Sequence, residues 1–235
     1  MSAAGFRHEE DSACGFTLVE IAIALVIMGL LLGSVLKAHE LVTGARVRNL
    51  IAQEQGIKAA FYGFQDRYRA LPGDYAQAVT RISGTSQNGN GNGRIEAAAT
   101  PNEAILAWEH LAHAGFLNRT YSYSATDSPA SSPANPYGVY QRIAFDAVYG
   151  DPATTLPARH NLKLGAQIPV HIAAEIDRKI DDGLPYRGDI QFSAYQGNAP
   201  AAPSATNCVN PAAGAAPATW LAASGQSNCG VASVF

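Results

Sequence analysis

The run from Asn88 to Ile95 carries oxygen-bearing side chains at alternate positions, with glycines between them. Asn88, Asn90 and Asn92 match the first three ligand positions of a calcium loop, and a turn glycine and an apolar residue follow in the expected places. Neutral amides replace the usual carboxylates and alanine stands at the bidentate glutamate position, so Glu96 or another acid would have to complete the site. The pattern predicts weak calcium binding at most, and a flexible Asn-Gly turn cluster is the alternative. Nothing in the sequence requires a cofactor.

Two other groups of residues could in principle perform metal or acid-base chemistry. His110 and His113 lie three residues apart on a predicted helix, but no third zinc ligand has suitable spacing, so we interpret them as helix-surface residues. The acids within residues 176–185 are balanced by Arg178 and Lys179, which favours a solvated helix end. No nucleophile elbow, phosphate loop or zinc-protease motif is present, and the sequence predicts a protein without enzymatic activity.

A single carboxylate, Glu20, interrupts the long apolar run from Phe16 to Leu36. A helix of this length spans the roughly 30 Å hydrocarbon core of a bilayer, which predicts a membrane helix. A secretory signal peptide would have a shorter apolar run and a small-residue cleavage site after it, whereas Gly15 precedes this one. A carboxylate here costs on the order of 2 to 3 kcal/mol without a partner. Cleavage after Gly15 would supply one, because the new amine would lie one helical turn from Glu20.

The stretch GFTLVE from Gly15 to Glu20, followed by the apolar run, resembles the processing site of type IV prepilins and type II secretion pseudopilins. The resemblance implies that a membrane peptidase cuts after Gly15 and methylates the new amino terminus, Phe16. It also implies that Glu20 neutralises the terminal amine of a neighbouring subunit during filament assembly. The leader departs from the family pattern, because Arg7 is accompanied by three acids where family leaders are usually basic. A plain signal anchor is the alternative.

The resemblance divides the chain into a leader peptide (1–15), a transmembrane and filament-core helix (16–36), the amphipathic half of that helix (37–70) and an exported globular domain (71–235). It implies a single pass through the bacterial inner membrane with the carboxy-terminal domain in the periplasm, followed by incorporation into an extracellular pilus or a periplasmic pseudopilus. The implied partners are the prepilin peptidase, an assembly ATPase, an inner-membrane platform protein and other pilin or pseudopilin subunits in a helical filament.

The net charge and the cysteines indicate which partners and which compartment to expect. The formal net charge of −3 gives no reason to expect a nucleic-acid partner, except in a DNA-uptake pilus. Removal of the leader takes Cys14 with it and leaves Cys208 and Cys229. A bond between them would stabilise the tail by on the order of 3 kcal/mol and would persist in an oxidising compartment. Two unpaired thiols are the alternative.

Three functions remain open. A type IV pilus subunit, minor because of its long decorated domain, would serve adhesion, motility or DNA uptake. Cys208 and Cys229 favour it slightly, since a pair there would close a carboxy-terminal loop as in many pilins. A type II secretion pseudopilin would drive protein export, and the candidate calcium loop favours that function. A membrane-anchored periplasmic binding module or enzyme that does not polymerise would keep its leader and have no need for Glu20.

Hydrophobic periodicity and the resemblance together predict an α+β, pilin-like fold: a long amino-terminal helix packed on a small antiparallel sheet, with extra short helices and long loops. An amphipathic pattern continues the first helix to about Ala70, where the sequence Leu71-Pro72-Gly73 stops it. A capping box at Thr100–Glu103 predicts a second helix that ends at Gly115. The pattern places a further helix after Pro169. Strands are predicted at 137–149, 162–168 and 190–195, and loops at 124–136 and 197–219.

Overall fold

The structure is a computed structural model that describes residues 16–213 and 215–235. Two compact units divide the chain, one ending at Thr43 and the other covering Gly44–Phe235. The helices are α1 (Leu18–Tyr68), α2 (Ala78–Arg81), α3 (Glu103–His113), α4 (Val170–Ile180) and α5 (Ala205–Cys208). The strands are β1 (Arg142–Asp146), β2 (Arg159–Lys163), β3 (Ile190–Phe192), β4 (Val209–Asn210), β5 (Thr219–Trp220) and β6 (Val231–Val234). The predicted α+β fold, with a long amino-terminal helix on a small antiparallel sheet, is confirmed.

Helix α1 changes character along its length. In the unit that ends at Thr43 its large apolar side chains are exposed, from Leu18 to Val42. After Gly44 it buries side chains that recur every three or four residues, as expected for an amphipathic helix. The buried residues are Val47, Leu50, Glu54, Ile57, Ala60, Phe61 and Phe64. The sequence predicted this periodicity and, within two residues, the end of the helix at Tyr68.

The main sheet has four antiparallel strands in the order β1-β2-β6-β3, so the last strand of the chain lies inside it. A hydrogen bond of 2.7 Å joins the Ser233 hydroxyl on β6 to the Glu54 carboxylate on α1, and both residues are buried. Lys58, one helical turn further along α1, lies 3.4 Å from the same carboxylate oxygen of Glu54. Burial of this acid is therefore compensated by a hydroxyl donor and a cation.

Several predicted boundaries were wrong in detail. The strands are shorter than their alternating patterns, and the predicted loop at 197–219 contains α5 and β4 and reaches the start of β5. Helix α3 has Asn102 as its N-cap, not Thr100, and the Asn102 side chain accepts a hydrogen bond from the Ile105 amide. The predicted capping box does not form, because the Glu103 carboxylate accepts hydrogen bonds from loop amides and not from an amide at the start of the helix.

A disulfide and a side-chain hydrogen bond stabilise the carboxy-terminal segment between Cys208 and Cys229. A disulfide joins the buried Cys208 and Cys229, 21 residues apart in sequence. Strands β4 and β5 pair next to it, and the Trp220 indole on β5 donates a 2.7 Å hydrogen bond to Asp177 on α4. Together these links hold a region whose Ala- and Pro-rich composition offers little core of its own.

Candidate functional site

The amino-terminal end of α1 presents the residues of the sequence motif. Phe16 is 77% exposed, and Glu20 lies exposed in the first helical turn. The Thr17 hydroxyl accepts a 3.2 Å hydrogen bond from the Glu20 amide and so caps the helix. A carboxylate in the first turn interacts favourably with the helix dipole. Gly15 and the rest of the predicted leader lie outside the described residues.

Glu20 offers this end of α1 a carboxylate for ionic pairing. Exposed apolar side chains surround Glu20 along the helix, including Leu18, Val19 and Ile23. Within the described part of the chain, α1 is the helix long and apolar enough to cross a membrane. A lone acid in such surroundings can be stabilised by a cation held at the same depth.

A second group of polar residues is built around Asp74, which the sequence analysis did not single out. Its carboxylate accepts hydrogen bonds of 2.7, 3.0 and 2.8 Å from the backbone amides of Gly91, Asn92 and Gly93. Asp74 is 4% exposed. Gly91 and Gly93 have positive φ angles, which turn successive N–H groups towards one acceptor. The loop thus wraps its backbone around an anion supplied by the protein itself.

The predicted calcium ligands belong to this loop, but their side-chain oxygens contact backbone amides. Asn88 accepts from the Val79 amide, and the carboxamide oxygens of Asn90 and Asn92 accept from amides two residues further along. The Asn92 side-chain nitrogen donates to Glu96 at 2.8 Å. All three asparagines are exposed. Calcium binding at Asn88, Asn90, Asn92 and Glu96 stays a prediction, and the loop has internal partners without it.

Two acids on α3 hold the remainder of the loop. Glu103 accepts from the amides of Asn90 and Glu96 at 2.9 and 3.0 Å, and burial raises the pKa of its carboxyl although these amides oppose the rise. Glu109 accepts from both the amide and the hydroxyl of Ser86, each at 2.9 Å. The loop is therefore fixed by three buried carboxylates at separate points, which makes it a rigid surface feature.

His110 lies beneath the same loop, and its interpretation as a surface residue was wrong. It is fully buried, its Nδ1 accepts from the Gly73 amide at 3.0 Å, and its Nε2 lies 3.1 Å from the Gln87 carbonyl oxygen. Because Nδ1 must accept and Nε2 must donate, the ring is the neutral Nε2–H tautomer. Burial lowers the pKa of His110 to about 4, outweighing the Gln87 carbonyl, and His113 lowers it further.

We expect His110 to make the fold acid-sensitive. Its folded-state pKa of about 4 lies below its ordinary value of 6.5, so the unfolded chain binds more protons between these values and stability falls as pH falls through the window. The contribution of His110 to the free energy of unfolding should drop by about 2 kcal/mol between pH 7 and pH 5, while Asp177, whose pKa is raised to about 6, contributes in the opposite direction. Urea unfolding at the two pH values measures this. Between pH 7 and pH 5, His110→Asn should lose about 2 kcal/mol less stability than the wild type does, whereas His113→Asn should lose as much as the wild type. A pH dependence in H110N equal to that of the wild type would refute the assignment.

Asp177, near the end of α4, departs from the interpretation of this stretch as a solvated helix end, whereas Asp182 is exposed. Arg178 and Lys179 both pair with Glu175, so they do not balance Asp177. Asp177 is buried, accepts from Trp220 and from the Gly183 amide, and burial raises its pKa to about 6 against the effect of these donors.

Among the described residues, one group of three acids has carboxylate oxygens within 4.8 Å of one another: Asp177, Asp181 and Asp182. Each of these carboxylates accepts hydrogen bonds from neighbouring groups of the protein. Asp181, for example, accepts from the Ile190 amide at 3.1 Å. Their arrangement serves to fix the turn after α4 and the start of β3.

Asp74 was missed and His110 was misinterpreted because the contacts that place them are not local. The motif Leu71-Pro72-Gly73 was interpreted only as a helix stop, yet Gly73 is also the donor to His110. Its φ of +86° and the 2.3 Å that would separate a Cβ from the Glu103 carbonyl oxygen exclude any other residue there. The sequence signal for the Asp74 site was an acid directly after this glycine and upstream of a loop rich in Asn and Gly.

Comparison with known protein families matches residues 11–36 to the prokaryotic N-terminal methylation motif. This is the prepilin-type cleavage and methylation signature, and it covers Gly15, Phe16 and Glu20. No curated protein and no solved structure matches the chain. The motif supports a type IV pilin or pseudopilin-like protein, implies processing by prepilin peptidase and assembly with other pilin subunits, and is consistent with anchoring in the inner membrane.

Proposed function

We propose that this chain is a minor subunit of a type IV pilus. The observation that carries the proposal is the methylation motif placed directly before an apolar helix that holds a single acid, Glu20. The rest of the chain gives no competing catalytic motif. Its work is mechanical and adhesive: the apolar helix packs into a filament, and the domain that follows is displayed on the filament surface for adhesion, motility or DNA uptake.

Processing comes first in the proposed mechanism. The precursor inserts its apolar helix in the inner membrane, and prepilin peptidase cuts after Gly15 and methylates Phe16. Because α1 begins at Leu18, the new ammonium group precedes the first helical turn and lies close to Glu20 in sequence. The carboxy-terminal domain is then in the periplasm, where an oxidising environment maintains the Cys208–Cys229 disulfide.

The proposed assembly step depends on the free-energy cost of an unpaired charge in an apolar environment. An assembly ATPase and an inner-membrane platform protein draw the subunit from the bilayer into a helical filament. In the filament core the Glu20 carboxylate of one subunit neutralises the Phe16 ammonium of a neighbour, and the exposed apolar side chains of α1 bury one another. Each subunit supplies both charges, so the pairing is repeated along the filament.

A type II secretion pseudopilin is the second candidate, favoured by the Asn-Gly loop if calcium binds there. Both candidates share the processing and assembly steps. They differ in the compartment that the filament reaches. Immunogold labelling of intact cells separates them, because a pilus is labelled outside the cell and a pseudopilus is confined to the periplasm. A membrane-anchored module that never polymerises is the third candidate, and it would retain its leader.

Intact mass and amino-terminal sequencing of the protein from its native membrane test the proposal. We expect the chain to begin at N-methylated Phe16. An intact Met1, or a cut beyond Leu36, would contradict it and favour the anchored or secreted alternative. The same mass spectrum should show Cys208 and Cys229 joined, because both sulfurs then lie in the exported domain.

A further inference from the structure

The loop from Asn88 to Gly93 contains three successive Asn-Gly pairs, and each pair has a reactivity of its own. A glycine nitrogen can attack the side-chain carbonyl carbon of the preceding asparagine, because glycine has no Cβ to hinder the approach. A C–N bond forms, and the side-chain NH₂ group leaves as ammonia with the proton of the glycine amide. Water then opens the resulting succinimide to aspartate or isoaspartate. The net reaction consumes water and releases ammonia, so it needs no enzyme, metal or oxidant.

The asparagines are accessible, but the glycine amides that would attack them are not free. Asn88, Asn90 and Asn92 are all exposed. The Gly91 N–H donates to the carboxylate and to the carbonyl oxygen of Asp74, at 2.7 and 2.9 Å. The Gly93 N–H donates to the other carboxylate oxygen of Asp74 at 2.8 Å. Each of these nitrogens is therefore held against an acceptor and away from the carbon that it would attack.

The first pair is held in a different way. The Gly89 N–H donates to the Tyr75 carbonyl oxygen at 3.1 Å, and the Asn88 carboxamide oxygen accepts from the Val79 amide at 2.9 Å. A Cβ on Gly89 would lie 2.2 Å from the Gly73 carbonyl oxygen, so the backbone is closely packed at this point. Protection of Asn88 thus depends on backbone contacts and not on the Asp74 carboxylate.

The charge of Asp74 adds an electrostatic barrier at the other two pairs. A glycine nitrogen attacks after it has lost its proton, and a neighbouring anion opposes the formation of a second negative charge. Asp74 is buried, so solvent screens this repulsion weakly. Its carboxylate contacts the amides of Gly91 and Gly93. Asn90 and Asn92 are therefore the residues whose reactivity depends on Asp74.

The carboxamides of these two residues are held as well. The Asn90 oxygen accepts from the Asn92 amide at 2.9 Å, and the Asn92 oxygen accepts from the Arg94 amide at 2.8 Å. The Asn92 side-chain nitrogen, which would leave as ammonia, donates to Glu96 at 2.8 Å. Ring closure has to break these bonds together with those to Asp74, so the loop must open before it can react.

We propose that Asn90 and Asn92 are spontaneous deamidation sites whose reaction Asp74 suppresses in the folded Gly44–Phe235 unit. Deamidation occurs when the loop opens, and its rate follows the population of the open form. The reaction is irreversible because ammonia is lost. Conversion of Asn92 to aspartate also replaces the N–H that donates to Glu96 by a carboxylate oxygen, which opposes reclosure of the loop. Deamidation thus marks the chains whose loop has opened, independently of any role in a filament.

Peptide mapping of the full-length chain in detergent tests this proposal. Trypsin cuts after Arg81 and Arg94, and the peptide 82–94 contains all three Asn-Gly pairs and no other asparagine. Mass spectrometry with fragmentation gives the converted fraction at each asparagine over time, and a sample digested at time zero corrects for conversion during digestion. At Asn90 and Asn92 the folded wild type should convert at least about 100-fold more slowly than the same chain in urea at the same pH.

Asp74→Asn removes the proposed protection. This variant should convert about 100-fold faster than the wild type at Asn90 and Asn92, and more slowly at Asn88 than at these two residues. Circular dichroism checks that the variant is folded at the temperature of the experiment. The comparison of the folded wild type with the chain in urea tests the proposal independently of this variant.

Two control variants separate Asp74 from general effects of substitution. Asp66→Asn makes the same chemical change at an exposed side chain, and it should keep the wild-type rate. Ile176→Ala weakens the same unit through a buried side chain of α4, and it should stay near the wild-type rate because it leaves the contacts of the loop in place.

Four results would overturn the proposal. They are conversion of the folded wild type as fast as in urea, no acceleration in Asp74→Asn, equal acceleration at Asn88 in that variant, and conversion of Ile176→Ala as fast as Asp74→Asn. The third would assign the protection to the loop backbone, and the fourth would assign it to overall stability.

Discussion

Replacing Glu20 with alanine should reduce filament number by about 100-fold while leaving the exported domain folded. The estimate comes from the cost of a charge left unpaired in an apolar core, on the order of 2.5 to 3.5 kcal/mol for each subunit contact, where 1.4 kcal/mol is a factor of ten. The alanine variant removes the acid but not the ammonium of the neighbouring Phe16. That amine then has no partner at its depth in the filament.

Counting filaments by electron microscopy in a strain that expresses the variant at wild-type level measures this effect. The control is Glu40→Ala, which removes an exposed acid from the same helix together with its 2.6 Å contact to Lys37. It should assemble normally, because Glu40 lies beyond the apolar run. Thermal unfolding should be the same in both variants as in the wild type. Wild-type filament numbers from Glu20→Ala would exclude the proposed pairing.

A smaller loss of filaments is expected from Glu20→Asp, which keeps the carboxylate but shortens the side chain by one methylene group. If assembly depends on pairing with the amine of Phe16, this variant should lie between the wild type and Glu20→Ala. If Glu20 served only to start α1 through the helix dipole, aspartate would substitute fully, since the dipole interaction is worth about 0.3 to 1 kcal/mol for either acid. The aspartate variant thus separates an assembly role from a helix-stabilising one.

The parts of the structure that sequence predicted well are those determined by local pattern. The seven-residue spacing of Leu50, Ile57 and Phe64, two helical turns each time, determines which side of α1 is buried, and Pro72 with Gly73 determines where it ends. These signals act within one or two helical turns, so they can be interpreted without knowing the rest of the fold. The antiparallel sheet was predicted only with the help of the family resemblance, since strand pairing is not a local signal.

The strand lengths could not be predicted, because pairing depends on distant partners. The pattern from 137 to 149 alternates over its whole length, but β1 is limited to Arg142–Asp146, where β2 is available to pair with it. Strand β6, between β2 and β3, was not predicted at all, since its four residues carry no distinctive alternation. Sheet membership there is decided by the fold and not by local preference.

The loop around Asp74 shows a different limit of sequence reasoning. The spacing of Asn88, Asn90 and Asn92 suggested oxygens converging on a cation, but the described structure has backbone N–H groups converging on an anion. Alternating Asn and Gly permits both arrangements, because positive φ angles at the glycines can turn either carbonyls or amides inwards. The choice depends on Asp74, which lies 17 to 19 residues before the amides it accepts from.

Replacing Asp74 with asparagine should therefore lower the free energy of unfolding by about 3 kcal/mol. The substitution keeps the size of the side chain but replaces one acceptor oxygen by an NH₂ group, which is left opposite a backbone N–H. It also removes the negative charge that strengthens all three bonds, and hydrogen bonds to charged groups are worth about 1.5 to 3 kcal/mol each. Urea unfolding of the full-length chain measures the change. Asp66→Asn makes the same chemical change at an 80% exposed side chain, and it should cost less than about 0.5 kcal/mol.

Adding calcium or a chelator to the same experiment separates the two origins of loop stability. If internal carboxylates hold the loop, the chelator should change the free energy of unfolding of the wild type far less than Asp74→Asn does, and the fold requires no cofactor. If a bound ion held it instead, removing calcium would cost as much as the substitution, since an ion that binds only the folded state stabilises it by mass action. The second outcome would return Asn88, Asn90, Asn92 and Glu96 to the role of ligands, with the backbone amides re-oriented away from Asp74.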